Sequence, residues 1–485
     1  MSQSKSIKTN TVLNIIKTCT TILYPLITFP YVLRILLPTN IGKVDFAQAF
    51  VSYFSLIAML GISTHAIRVC AAVRNDKRQL SDIASQILSI NLCSSAFAYL
   101  LLFLSLLFFR KYDQYRLLII IESTTILFTA LGADWLNSAM EDFQYITIRT
   151  VVSQLIALVA TFLFVRTEDD YPVYAIICVF GSSAAQIINI FYRKRYCDIH
   201  LTLRIQWSAH LKPILFLFVM TLSQVILSNT DITMLGLIKG DFAVGIYSTA
   251  HKVTRVIGQV VQSVAIVIIP RLSLYFASND FTSANKLLRK VLNFNLTLGL
   301  PCVVGVEMIA EDIIFLAGGA EFASAAPVIR VLILSFMFSL VGGSFLGNAV
   351  LIPMKQEKYY MVVCIITACV NIVLNALLIP VLSTIGASIA TAINGFLIFI
   401  LLLFKVDKRI QIPSVRTLFI SPLIGCLGIV ICCLCSSLIS LLSVRVIVSL
   451  FSSILVYGCI LLALHNDLAI ELLSTFKHRI HKTHQ

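Results

Sequence analysis

The chain has 485 residues, 58% of them hydrophobic and only 12% charged, with a mean hydropathy of +0.93. Globular domains carry about 25% charged residues, so no soluble fold could hide this apolar surface, and lipid must be the solvent for most of the chain. The net charge of +14 is scattered over many short loops, which excludes a nucleic-acid-binding patch and fits the positive-inside rule of membrane proteins.

In chain order, Met1–Asn10 is basic. The hydrophobic run behind it is too long for a signal-peptide core and no small-residue cleavage pattern follows, so it is read as a retained span. This span, 11–37, carries Asn14, Lys17, Thr21, Tyr24, Thr28 and Tyr31 at helical spacing, which gathers its polar groups on one narrow stripe. A lysine there is costly against lipid, so the stripe should face protein or water. Pro25 and Pro30 are positions at which this helix can kink. Further candidate spans follow at about 42–64, 84–109, 116–138, 146–165, 172–192, 213–236, 245–270, 291–316, 326–352, 359–379, 384–404, 415–436 and 442–464. An even count of about 14 puts both termini on one side. With cations near a span's edge counted with the adjoining loop, 25 Lys and Arg, Arg149 among them, go to that side and 7 to the other, which assigns both termini to the cytoplasm. The opposite loops are short, so no external domain is expected.

A shift of 203 residues lays the first two spans on the seventh and eighth. Thr21 then meets Gln224, Thr28 meets Asp231, and Gly42 meets Gly245 at the turn. The seventh span has its own stripe, Thr221, Gln224, Ser228 and Asp231. The second span carries Asp45, Gln48, Ser52 and Ser55, and the eighth carries Ser248, His251, Arg255 and Gly258 at the same offsets. Six spans per repeat preserve orientation, so the halves are parallel repeats with a substrate path at their interface. The fold expected is an all-α polytopic membrane protein with two six-helix lobes, 1–212 and 213–410, around a central cavity. Two additional helices and a cytoplasmic tail occupy 411–485.

Thirteen cysteines lie mostly inside apolar runs, without paired CxxC motifs or clustered histidines, and read as small buried hydrophobes rather than zinc or redox sites. No metal and no cofactor is expected. The basic residues within or at the edge of spans are Lys17, Arg34, Lys252, Arg255 and Arg330, and His251 adds a titratable group beside Lys252. Clustered cations in a dry cavity suit an anionic substrate, phosphate above all. The competing reading is structural: Arg34 snorkels to the interface, and Lys252 or Arg255 pairs with Asp231. Among the acids Glu122, Asp134, Asp231 and Glu307, Asp231 lies on a stripe and is the first candidate to bind a coupling ion, with Glu307 second. Tyr24, Tyr31, Gln48 and Gln224 complete the candidate substrate contacts. There is no P-loop, no HExxH and no GxSxG with credible partners, so the chain is read as a transporter driven by an ion gradient, membrane potential or substrate flux, not as an enzyme.

The run Phe29-Pro30-Tyr31-Val32-Leu33-Arg34-Ile35-Leu36, followed by Asn40-Ile41-Gly42 and Phe46-Ala47-Gln48-Ala49, resembles the first hairpin of bacterial O-antigen flippases. Leu60-Gly61-Ile62 with Arg68 and Arg74, Asn229-Thr230-Asp231, Gly245-Ile246-Tyr247-Ser248 and Ala250-His251-Lys252 are similar to further motifs of that family. It belongs to the multidrug, oligosaccharidyl-lipid and polysaccharide exporter superfamily. The resemblance implies flipping of an undecaprenyl-diphosphate-linked O-antigen oligosaccharide across the bacterial inner membrane, through a cavity lined by spans 1, 2, 7 and 8. It places the family's cationic cavity on Lys17, Lys252 and Arg255. A proton or sodium ion and the O-antigen polymerase machinery are the implied partners besides the bilayer. A lipid II flippase and a multidrug antiporter are the alternatives within the superfamily. A membrane glycan polymerase or ligase is the alternative of another class, and it would need a large periplasmic loop.

Overall fold

The computed structural model describes residues 7–410, 415–471 and 473–474. The side chains of Lys5, Lys8, Asn14, Arg416, Lys477, Arg479 and Lys482 lie outside the described part. Among the described residues all regular structure is helical. The elements are α1 (Ile7–Met59), α2 (Ile62–Ala72), α3 (Lys77–Phe108), α4 (Arg116–Gly132), α5 (Asp134–Ala139), α6 (Phe143–Phe164), α7 (Tyr171–Tyr192) and α8 (Trp207–Ile238). They continue as α9 (Asp241–Ala277), α10 (Phe281–Gly318), α11 (Ala325–Ser339), α12 (Glu357–Leu403), α13 (Val415–Ser436) and α14 (Leu442–Ala463). A π-helical stretch, Leu340–Leu351, extends α11.

Ten helices among the described residues are long and apolar enough to cross a membrane. Two of them hold two expected spans each. In α1 the break falls at Leu37 (φ 60°, ψ 168°), and in α12 at Ser383 (φ 52°, ψ −129°). The first helix does not break at Pro25 or Pro30, which both continue it. The break comes at the residue before Pro38, where the proline ring disfavours the α conformation of its predecessor.

The chain divides into two compact units, Met1–Gly245 and Ile246–Gln485. In the first, α1 packs along α3, α4, α6 and α8, and α4 packs on α7. In the second, α11 packs on α12, and the pair α13–α14 docks on α10. Tyr457 of α14 donates to the Thr297 carbonyl at 2.6 Å, and Arg445 meets Asp312 at 2.5 Å. The two C-terminal helices are therefore tied into the second unit by buried polar contacts as well as by apolar packing.

The segment between α7 and α8 is strapped along α3 by a serine ladder. The amides of Asp198, His200 and Thr202 donate to the hydroxyls of Ser81, Ser85 and Ser89 at 3.2, 3.1 and 2.9 Å. Two residues of extended chain and four residues of helix both advance about 6–7 Å, so the two periods stay in register. All thirteen cysteines are free thiols. In the strap, burial pushes the Cys197 thiol up to about 11, which leaves it protonated and inert.

Candidate functional site

In the first unit the turn that ends the first span meets the turn that begins α9. A Cβ on Gly42 would overlap the Asp241 carbonyl, and a Cβ on Gly245 would overlap the Pro38 carbonyl. The two contacts interchange under the shift of 203 residues, since Pro38 maps on Asp241 and Gly42 on Gly245. Each glycine is thus required by the other turn, as in a contact between two-fold-related surfaces. The surrounding residues hold these turns. Asn40 donates to the Glu168 carbonyl at 2.9 Å and accepts from Lys43 at 3.0 Å. Tyr115 bonds the Asp241 carboxylate, and Lys111 bonds the Leu237 carbonyl at the end of α8.

From these turns the second half of α1 runs beside α8. The Phe46 ring covers Gly236, and the Tyr53 and Thr233 hydroxyls pair at 3.1 Å. Asp231, 3% exposed, lies on this contact close enough for its charge to act on Tyr53. Two striped helices assigned to opposite repeats are therefore neighbours. Gln48, Thr221, Gln224 and Ser228 remain exposed, as does Arg34.

The stripe of the first span faces α6 and α7. The Tyr31 hydroxyl donates to the Val165 carbonyl at 2.8 Å and its ring packs on Phe162 at 4.6 Å. Tyr24 is half-buried against Gly181. Lys17, also half-buried, sits in the field of Arg149. By sequence Arg149 counts as a loop cation. It lies instead within α6, its side chain 3% exposed, paired with Asp134 and donating to the Ala185 carbonyl at 2.8 Å. Beneath it Asn137 and Asn189 bond at 2.6 Å, and Asn189 donates to the Gly132 carbonyl at 2.6 Å. The available signal was position: Arg149 is seven residues into an apolar helix.

In the second unit α9 presents His251 and Lys252 half-buried and Arg255 exposed, with the His251 ring stacked 6.0 Å from Tyr247. Arg330 and Glu307 are brought together. The Arg330 guanidinium bonds Glu311 at 3.1 Å and lies 4.0 Å from the Glu307 carboxylate. The Glu307 carbonyl also accepts from Arg330 at 3.5 Å, just before α10 departs from helical geometry at Ile309. Glu311 was not singled out in the sequence, although it lies four residues, one helical turn, beyond Glu307. Such an arrangement can hold a cation on α10, exchange a proton at a carboxylate, or fix the kink.

Residues 7–276, more than half of the chain, match the family model described as polysaccharide biosynthesis protein. The chain belongs to that family. The membership bears out the resemblance to O-antigen flippases and their exporter superfamily, and a second model, MatE, matches residues 217–377. Among curated proteins, this member of the family is 22% identical over 393 residues to a putative O-antigen transporter of Escherichia coli, covering 80% of this chain and 93% of that protein. It is 22% identical over 382 residues to the capsular polysaccharide biosynthesis protein CapF of Staphylococcus aureus, covering 76% and 91%. Its fold is similar to that of the lipid II flippase MurJ, with a TM-score of 0.75 at 16% identity, covering 94% of this chain and 99% of the other. That likeness concerns the fold alone.

Proposed function

We propose that this polysaccharide-family member flips an undecaprenyl-diphosphate-linked oligosaccharide, of the O-antigen type, across the bacterial inner membrane by ion-coupled alternating access. The observation that carries the reading is the neighbourhood of α1 and α8 around the reciprocal Gly42–Asp241 and Gly245–Pro38 contacts. It supports the inference that stripes from both repeats serve one path. The curated relatives, named for O-antigen transport and capsular polysaccharide biosynthesis, support the substrate class.

In this reading Lys17, Lys252 and Arg255 hold the diphosphate, with Arg34 and Arg330 as further cations, while Tyr24, Tyr31, Gln48, Gln224 and His251 serve the sugar. The polyprenyl tail stays in lipid. A proton or sodium ion on Asp231, or second on Glu307, biases the return step. Both termini are cytoplasmic, and the six-span lobes 1–212 and 213–410 are the transporting halves.

The test is export of assembled surface polysaccharide in a strain lacking its own flippase, with membrane levels of the variants measured in parallel. Arg255→Ala at normal levels is expected to abolish export, and full export by that variant would remove Arg255 from the substrate role. Rescue of a lipid II flippase depletion, without restored polysaccharide export, would reassign the substrate to lipid II.

A further inference from the structure

Outside the residues discussed so far, two histidines meet in the interior of the first unit. His65 of α2 and His210 in the first turn of α8 are each 5% exposed. The His65 Nε2 lies 2.9 Å from the His210 Nδ1, and the rings are 5.2 Å apart, edge to face. The contact joins two helices that are 145 residues apart in sequence. It sits at the elbow between α1 and α2, where Leu60 (φ 43°) and Gly61 (φ 73°) turn the chain. Gly61 is seated on α8, since a Cβ there would come within 2.7 Å of the Leu217 Cβ. Ile62, Ala66, Cys70 and Ile214, on the same two helices as the pair, belong to one buried apolar cluster.

We propose that His65 and His210 form a proton-binding site that latches α2 to α8 when at least one ring is neutral and releases it when both are charged. A hydrogen bond between two imidazoles needs one N–H and one lone pair. The first proton shared by the pair can be held across the 2.9 Å gap. A second proton sets N–H against N–H and places two like charges in an apolar pocket, which the contact cannot accommodate.

Among the described residues the surroundings offer no counter-ion. α2 contributes Arg68, whose field reaches His65. α8 contributes Lys212, exposed and two residues from His210. On α3, Asp82 is engaged by Gln86 at 3.0 Å. On α5, Asp134 is paired with Arg149, and on the strap Tyr196 is bonded to Asp142 at 2.6 Å. Among the described residues no carboxylate is bonded to either ring. Acid therefore weakens this end of the α1–α8 contact, while the glycine turns hold the other end. The helix pair that carries the stripes is then tied at one end by a contact blind to pH and at the other by one that reads it. This goes beyond the coupling ion of the transport cycle, because neither histidine lies on a stripe.

The experiment uses the full-length protein in lipid nanodiscs with a chelator present. Hydrogen–deuterium exchange of Ile62–Val73 is followed from pH 8 to 5 and normalised to intrinsic rates. The wild type should lose protection about tenfold per pH unit for each proton taken up, while peptides of α3 stay unchanged. His65→Gln and His210→Gln each keep a hydrogen-bonding side chain and leave one ring, which cannot reach the doubly charged state, so the slope should fall in each, and exchanging both should remove it. A flat wild-type profile, or an undiminished slope in both variants, would overturn the proposal. Should a variant fail to fold, ¹⁵N-histidine spectra of the wild type decide the matter. Two buried rings titrating as a coupled pair support it, and two independent titrations refute it.

Discussion

Arg149 shows how a single side chain changes meaning with its surroundings. As one of many arginines near a span end it reads as a topological signal, but enclosed at 3% exposure it becomes half of a partly buried ion pair with Asp134. Removing one partner of a buried pair costs about 3–5 kcal/mol because the other charge is stranded. Asp134 is 30% exposed, so water relieves part of that cost. Arg149→Met should therefore destabilise the protein by an amount at or below the low end of that range, and Asp134→Leu/Arg149→Met should recover most of the loss. Thermal unfolding in detergent of the single and double variants checks this. Equal stability of Arg149→Met and wild type would remove the pair from the structural account and leave Arg149 free to serve beside Lys17. Neither the pairing nor the His65–His210 bond was legible in sequence, because partners 15 and 145 residues apart share no local pattern.

Among the elements, the turns at Gly42 and Gly245 join local chemistry to the repeat. The shift of 203 residues aligned these two glycines, yet alignment could not say that each abuts the other's turn. Overpacking a close backbone contact costs about 1–3 kcal/mol. Gly42→Ala and Gly245→Ala should each lose about that much, with the double variant costing less than the sum because one separation of the turns relieves both overlaps. Gly305→Ala is the internal control. No neighbouring atom lies within 4 Å of a Cβ there, so the exchange should be neutral or stabilise α10 by about 0.5–1 kcal/mol. Urea unfolding of the four proteins separates the cases, and a neutral Gly42→Ala would mean that the turns are not in contact in the membrane. Apolar length foretold the helices well. The fusion of paired spans into α1 and α12 did not show in hydropathy, because one residue of positive φ reverses a chain without any polar loop.

At the scale of the whole molecule, the C-terminal pair α13–α14 separates what is added from what is integral. Composition marks it only as two more apolar spans beyond the repeats. In the structure it is bolted to α10 by Arg445–Asp312 and by Tyr457 on the Thr297 carbonyl. Hydrogen bonds between membrane helices average about 0.6 kcal/mol with a maximum near 1.7, so Tyr457→Phe should cost within that range. A double-mutant cycle on Asp312→Ala and Arg445→Ala should return a coupling of about 1–2 kcal/mol, since both side chains are mostly buried. A coupling of zero would mean that the pair is held by apolar packing alone. Sequence alone establishes that the protein is a polytopic helical membrane protein, that polar stripes recur after 203 residues, and which family it resembles. These follow from hydropathy, helical period and local motif, all readable along the chain. Packing alone settles which stripe residues face other helices, that Arg149 pairs with Asp134, that Arg330 meets Glu307 and Glu311, and that the His65 and His210 rings lie within hydrogen-bonding distance. A stripe specifies a face but not its partner, and the partner is set by packing between helices that are remote in sequence.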